Sequence, residues 1–205
     1  EREQIFNLLG LHQQKVEAVI YQENGNTISG YDAFRAYTRQ ADKYLALHLI
    51  IRGLKTNNNG TSRFPKLTDC QSKLFAEVYG QLYEENGHFL GQYFRNMYYV
   101  LNTIDQSSLN DTDKAYYAHL YRAQLSRYEL ALGVFNAVWE KSSFDMVRLL
   151  LKYDILDDVY REDIVLFEKR EGKDDSAYHR VKELLKEYQT MEKERQEQTS
   201  SEFTV

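Results

Sequence analysis

A single proline, Pro65, in 205 residues is the feature that most restricts what this chain can fold into. Proline and glycine punctuate chains, and β-sandwiches and barrels need such punctuation at every tight turn. With only 10 glycines as well, the sequence calls for long helices joined by few loops. The expected fold is all-α: a single compact bundle of about seven or eight helices over residues 1–197, with a central antiparallel helical hairpin. Residues 198–205 read as a disordered tail. A hydrophobic share of 42% is enough for a core, and 17 tyrosines supply rings with one polar tip, suited to seams between helices.

Charge narrows the partners. The net charge is −5, against the basic balance of a general nucleic-acid binder, so nucleic acid is not indicated as a partner. The distribution is uneven. Residues 30–66 hold Arg35, Arg39, Lys43, Arg52, Lys55, Arg63 and Lys66 against Asp32 and Asp42, whereas 157–205 are acidic on balance. The plain reading is two solvated helix faces; the sharper one is a basic edge facing membrane headgroups or nucleic acid. Lone Cys70 excludes an intrachain disulfide and fits a reducing compartment. No run is apolar for long enough to span a bilayer. A chain opening on Glu1 rather than methionine reads as a piece of something longer.

Apolar residues at spacings of three and four predict a helix over about 2–21 (Ile5, Leu8, Leu9, His12, Val16, Val19, Ile20), ended by the turn cluster Glu23-Asn24-Gly25-Asn26. A second helix is expected from about 30 to 54. Thr68-Asp69-Cys70-Gln71 reads as a capping box opening a helix to about 85, which Asn86-Gly87 breaks or kinks before another over 88–105. The connection 106–111 forces an antiparallel neighbour, expected as one helix over 112–140. Shorter helices are expected to about Tyr153, then over 159–169 and 174–197.

The stretch 112–140 is apolar on nearly every side, which marks a buried helix. A narrow polar stripe runs through it: Arg122, Ser126, Glu129, Gly133, Asn136. His88, Arg95, Tyr99 and Asn102 share one face of the preceding helix, with Gln92 and Tyr98 beside it. Folding the two back on each other sets Arg95 opposite Arg122, with Glu129 near His88 and Gln92. Two facing guanidiniums need an anion, which Glu129 or an external phosphate would supply. His88, Gln92, Arg95, Tyr99, Asn102, Arg122, Gln124, Ser126, Glu129 and Asn136 are therefore the candidate polar network, either a ligand site or a device that fixes helix register.

The same residues carry a family likeness. Gly91-Gln92-Tyr93-Phe94-Arg95-Asn96-Met97-Tyr98 with Ile104-Asp105, and Tyr121-Arg122-Ala123-Gln124-Leu125-Ser126 with Glu129-Leu130 and Phe135-Asn136, resemble the two motif blocks of the AbiC-like phage abortive infection family. Phe6-Asn7-Leu8-Leu9 with Leu11-His12, and Gly30 with Ala33-Phe34, are weaker matches that extend the likeness over roughly 5–155. The resemblance implies bacterial anti-phage defence, in a domain tethered to the cytoplasmic side of the inner membrane by segments outside this sequence. It implies a phage or host trigger, self-assembly as a further option, and no settled reaction.

Catalytic alternatives are less well supplied. A helical ribonuclease of the HEPN type needs a histidine after an arginine and a polar residue; Arg95-Asn96 is followed by Leu101, Asn102 and Thr103 where that histidine should stand. The five histidines are scattered, so no metal site and no cofactor is expected. His12 and His48 read as core histidines. Ser126 lacks a base on its own helix, and no glycine-rich phosphate loop is present. The remaining alternatives are a nuclease or hydrolase built on an Arg95/Arg122 cleft, and an interaction scaffold.

Overall fold

A computed structural model describes residues 1–51, 71–139 and 144–159, together with positions 182, 183, 185, 186 and 190. The order of elements is α1 (Arg2–Gly10), α2 (His12–Glu17), β1 (Ile20–Glu23), β2 (Asn26–Ser29), α3 (Tyr31–Ile51), α4 (Gln71–Gln106), α5 (Asp111–Arg122), α6 (Arg127–Ala137) and α7 (Phe144–Lys152). The fold is mostly helical, as expected, but it contains a two-stranded antiparallel sheet that the all-α expectation lacked. The helices are also divided differently from the expected seven or eight. The expected capping box at Thr68, the later helices over 159–169 and 174–197, and the 198–205 tail lie outside the described stretches, apart from isolated positions.

The first correction is at the N-terminus. One helix over 2–21 is replaced by α1, α2 and strand β1. Beyond α2 the chain is extended and reverses at Asn24 (φ 51°) and Gly25 (φ 80°), which both take left-handed backbone angles. That pair of angles is the tight hairpin turn that Asn-Gly favours. It sets the register Tyr21↔Ile28 and Gln22↔Thr27. Tyr21 stands edge-on to Tyr37 at 4.9 Å between ring centres. The Tyr37 hydroxyl donates to the Ile20 carbonyl, which fixes the hairpin to α3.

The second correction is α4, which runs unbroken for 36 residues through Asn86-Gly87. Glycine there provides space rather than a hinge. A Cβ on Gly87 would come within 2.5 Å of the Tyr83 ring, and one on Gly91 would meet the Tyr83 hydroxyl. The ring thus lies along its own helix, with its centre 4.3 Å from that of Trp139.

The third correction is the expected helix over 112–140. It is two helices, separated by a turn at Ala123-Gln124-Leu125, in which the Gln124 and Leu125 amides donate to the Tyr121 and Arg122 carbonyls. Ser126 then caps α6 in a complete capping box: its hydroxyl accepts from the Glu129 amide, and the Glu129 carboxylate accepts from the Ser126 amide. Every residue of α6 from Glu129 to Ala137 is buried, as an apolar-all-round helix must be. Packing against α3 and α4, it forms the centre of the core, with Phe75 of α4 stacked on Phe135 at 4.6 Å.

Candidate functional site

Splitting 112–140 in two changes what its polar stripe can do. Arg122 ends α5 and Glu129 opens α6, so they no longer share a helical phase. The expected meeting of Arg95 with Arg122 does not occur. Arg95 is exposed on α4, and no carboxylate stands at ion-pair distance from it among the described residues. Arg122 instead reaches the turn that follows α7: Nη1 donates to the Asp154 carbonyl at 3.0 Å, and Nε stands 3.2 Å from an Asp158 carboxylate oxygen. Asp154 sits at a left-handed φ of 48°, just beyond the helix, and its carbonyl also accepts from the Asp157 amide at 3.2 Å. Arg122 ties down that turn. The Arg95/Arg122 cleft on which the nuclease or hydrolase alternative depended is not formed by the described residues.

Glu129 is buried as expected, but its partners are not those read from the sequence. It is wholly inaccessible to solvent. One carboxylate oxygen accepts from the Ser126 amide at 2.7 Å; the other accepts from the Tyr93 hydroxyl. His12 Nε2 stands 3.2 Å from that second oxygen, at ion-pair range but out of hydrogen-bonding alignment. Tyr121 closes the group, edge-on to the His12 ring at 5.4 Å. Burial, and then the neighbouring Tyr121 and Glu129, push the Tyr93 hydroxyl far above the ordinary tyrosine range. Burial followed by Glu129 does the same to Tyr121. Both phenols therefore stay protonated and face the carboxylate as neutral groups.

A second acid, Asp105, anchors the far end of α4. It accepts from Lys152 at 2.6 Å, from Tyr153 at 2.7 Å and from Arg148 at 3.0 Å, while Lys114 donates to its carbonyl at 2.8 Å. Burial would raise this carboxyl, but the donors Lys152, Tyr153 and Arg148 outweigh it and hold the group down at about 2. The cluster locks α7 onto the end of α4.

The remaining candidates are dispersed. The stripe His88, Gln92, Arg95, Tyr99, Asn102 does occupy one side of α4, but it is the outer side. His88, Gln92, Arg95 and Tyr99 are exposed and Asn102 is half-buried. His88 rests on the Phe89 ring, with centres 3.8 Å apart. Asn102 lines a shallow cleft with Gln4, Thr103 and Gln106. Gln124 is exposed at the α5–α6 turn. Asn136 is buried and donates to the Tyr79 hydroxyl at 3.0 Å. Of the ten candidates, only Ser126 and Glu129 are brought together. Sequence reasoning missed His12, Tyr93 and Tyr121 as their neighbours. The signal was present: Ser126-Arg127-Tyr128-Glu129 has capping-box spacing, and an oxygen of a buried capping glutamate needs a donor from another element. Among the described residues no group of three His, Cys, Asp or Glu side chains is placed to hold a metal ion.

Of the basic edge, Arg35, Arg39 and Lys43 stand exposed at four-residue intervals on α3, and Lys43 is 3.9 Å from Glu23. Arg52, Lys55, Arg63 and Lys66 lie outside the described residues.

Fold and geometry together define a helical domain organised around two buried acids, one at a helix start and one near a helix end. Residues 85–164 match the family described as "Putative phage abortive infection protein", and the match spans both motif blocks. The likeness read from those blocks is borne out over that stretch. No curated protein and no solved structure matches the chain.

The geometry explains why the motif residues take the form they do. Gly91 leaves room for Tyr83, Tyr93 donates to Glu129, and Asp105 holds α7. Arg122 fastens the turn after α7, while Ser126 and Glu129 start α6.

Proposed function

We propose that this domain is a sensor or effector module of a bacterial abortive-infection system, acting by binding a ligand or partner rather than by turnover. The observation that carries the reading is the family match over residues 85–164, which takes in both motif blocks. The geometry supports the binding half of the proposal. Most motif side chains that point inward are engaged in holding helices together, so recognition falls to the outer face of α4 and the clefts beside it. A trigger from phage or host, or a second copy of the domain, is what such a surface would read.

Tethering to the cytoplasmic face of the inner membrane belongs to the same proposal. Among the described residues no helix is long and apolar enough to cross a membrane, so the tether is assigned to other segments of the full protein. The test is phage challenge of bacteria expressing the full-length protein. Phage yield should fall while infected cells fail to recover, and a Glu129→Ala variant should lose the protection. Unchanged phage yield and cell survival across a broad phage panel would overturn the defence reading. Extraction of the full-length protein from membranes by salt alone would overturn the tether.

A further inference from the structure

The Glu129 centre has an outer wall, and that wall is a cleft. Leu11, Gln14, Lys15 and Ala18 follow one another at helical spacing around α2, and Phe89, Gln92 and Tyr93 do the same on α4. With Val19 they enclose a cleft of about 230 Å³. Its lining is mixed: Leu11 and Phe89 are its open apolar surfaces, Val19 and Tyr93 are almost wholly buried, and polar atoms make up nearly half of what is exposed. Its rim holds two amides, Gln14 and Gln92, and one cation, Lys15, which is half-buried and has no carboxylate at ion-pair distance among the described residues. Small-molecule sites likewise combine apolar surface with a few polar groups that fix orientation.

We infer that this cleft binds a small, flat, apolar ring system carrying one negative charge. The volume admits one or two fused rings, below the usual range for drug-sized ligands. Leu11 and Phe89 offer the ring apolar and aromatic contact. Lys15, on the rim at the edge of low-dielectric surface, selects an anion over a neutral or cationic molecule of the same shape. Gln14 and Gln92 donate to its oxygens from opposite walls.

The cleft is also connected to the centre. Tyr93 forms part of its floor and donates its hydroxyl to Glu129, while His12 lies on α2 between Leu11 and Gln14. An occupant therefore lies beside the residue that partners the buried carboxylate.

The inference deepens the ligand-binding reading above and rests on it for its biological meaning, but the binding itself is measurable without phage. The probe is 1-naphthalenesulfonate, titrated into the purified domain by calorimetry and by NMR, with 1-naphthalenemethanol as the uncharged counterpart. Saturable one-to-one binding is expected, with shifts at Phe89 and Tyr93. The Kd should rise at least fivefold for the uncharged counterpart and for Lys15→Gln. Ala18→Trp, which fills the cleft from an exposed position, should abolish binding. Gln92→Trp fills it from the opposite wall and serves as a second plug if the first variant does not fold. Non-saturable binding, equal affinity for the two probes, or retained affinity in a folded plug variant would overturn the inference. A failed titration alongside intact phage protection removes the cleft and leaves the defence reading in place.

Discussion

Asp105 and Glu129 are both carboxylates on motif-bearing helices, and the protein holds them by opposite means. Asp105 is buried beneath partners that reach solvent and draws on charge: two cations and a phenol converge on it, and its proton is driven off down to about pH 2. Glu129 sits where no solvent reaches and draws mainly on neutral donors, a phenol and a backbone amide, with His12 alongside. The contrast follows from the cost of burial. A carboxylate close to water can be paired with flexible Lys and Arg side chains whose heads remain partly solvated. Deep in a core, long cationic chains would have to be desolvated too, and short rigid donors are the cheaper partners.

Removal of each acid should expose this difference. Glu129→Ala leaves the Tyr93 hydroxyl and the Ser126 amide without an acceptor, opens a cavity and weakens the start of α6. It should cost about 3–5 kcal/mol in urea unfolding. A loss below about 1 kcal/mol would show that the carboxylate is not the centre of the core.

Asp105→Asn should cost less, about 1–2 kcal/mol, because Arg148 and Lys152 can return to water. Its signature is in the pH dependence. Asp105 is depressed in the folded state, so its contribution is complete above the unfolded value near 4. It is lost as pH falls from about 4 to about 2. The stability gap between wild type and Asp105→Asn should therefore close over that window, as read from urea midpoints at each pH. A gap unchanged down to pH 2 would remove the ionic account.

Ser126→Ala deletes only the cap hydroxyl and should cost about 1 kcal/mol. The smallest effect belongs to Arg95→Ala, within about 0.5 kcal/mol by thermal unfolding. A loss there comparable with that of Glu129→Ala would restore the arginine-facing arrangement expected from the sequence.

The fold class was legible because two residue types were scarce. The buried character of the central stretch was legible because its apolar positions surround it. What escaped reading had local causes. Periodicity ran continuously from α5 into α6, so the polar positions around 122–129 looked like one stripe. The cue that separates them is chemical, a serine three residues before a glutamate. Asn24-Gly25 was seen as a turn, but the short strands on either side carry too few residues to stand out against helical spacing. Gly87 looked like a hinge because nothing in the sequence announces that the Tyr83 ring lies across it. Apart from Ser126, the partners of Glu129 could not be read from the local pattern. His12, Tyr93 and Tyr121 come from three other helices, and only packing brings them to one place.

The uninterrupted course of α4 has a mechanical consequence. Thirty-six residues make a rod of about 54 Å. Along it the rod is clamped by Tyr44 and Gln40 at Glu85, by Glu129 at Tyr93 and by α7 at Asp105. No break in the helix separates these clamps, so α3, α6 and α7 are all fastened to one continuous beam.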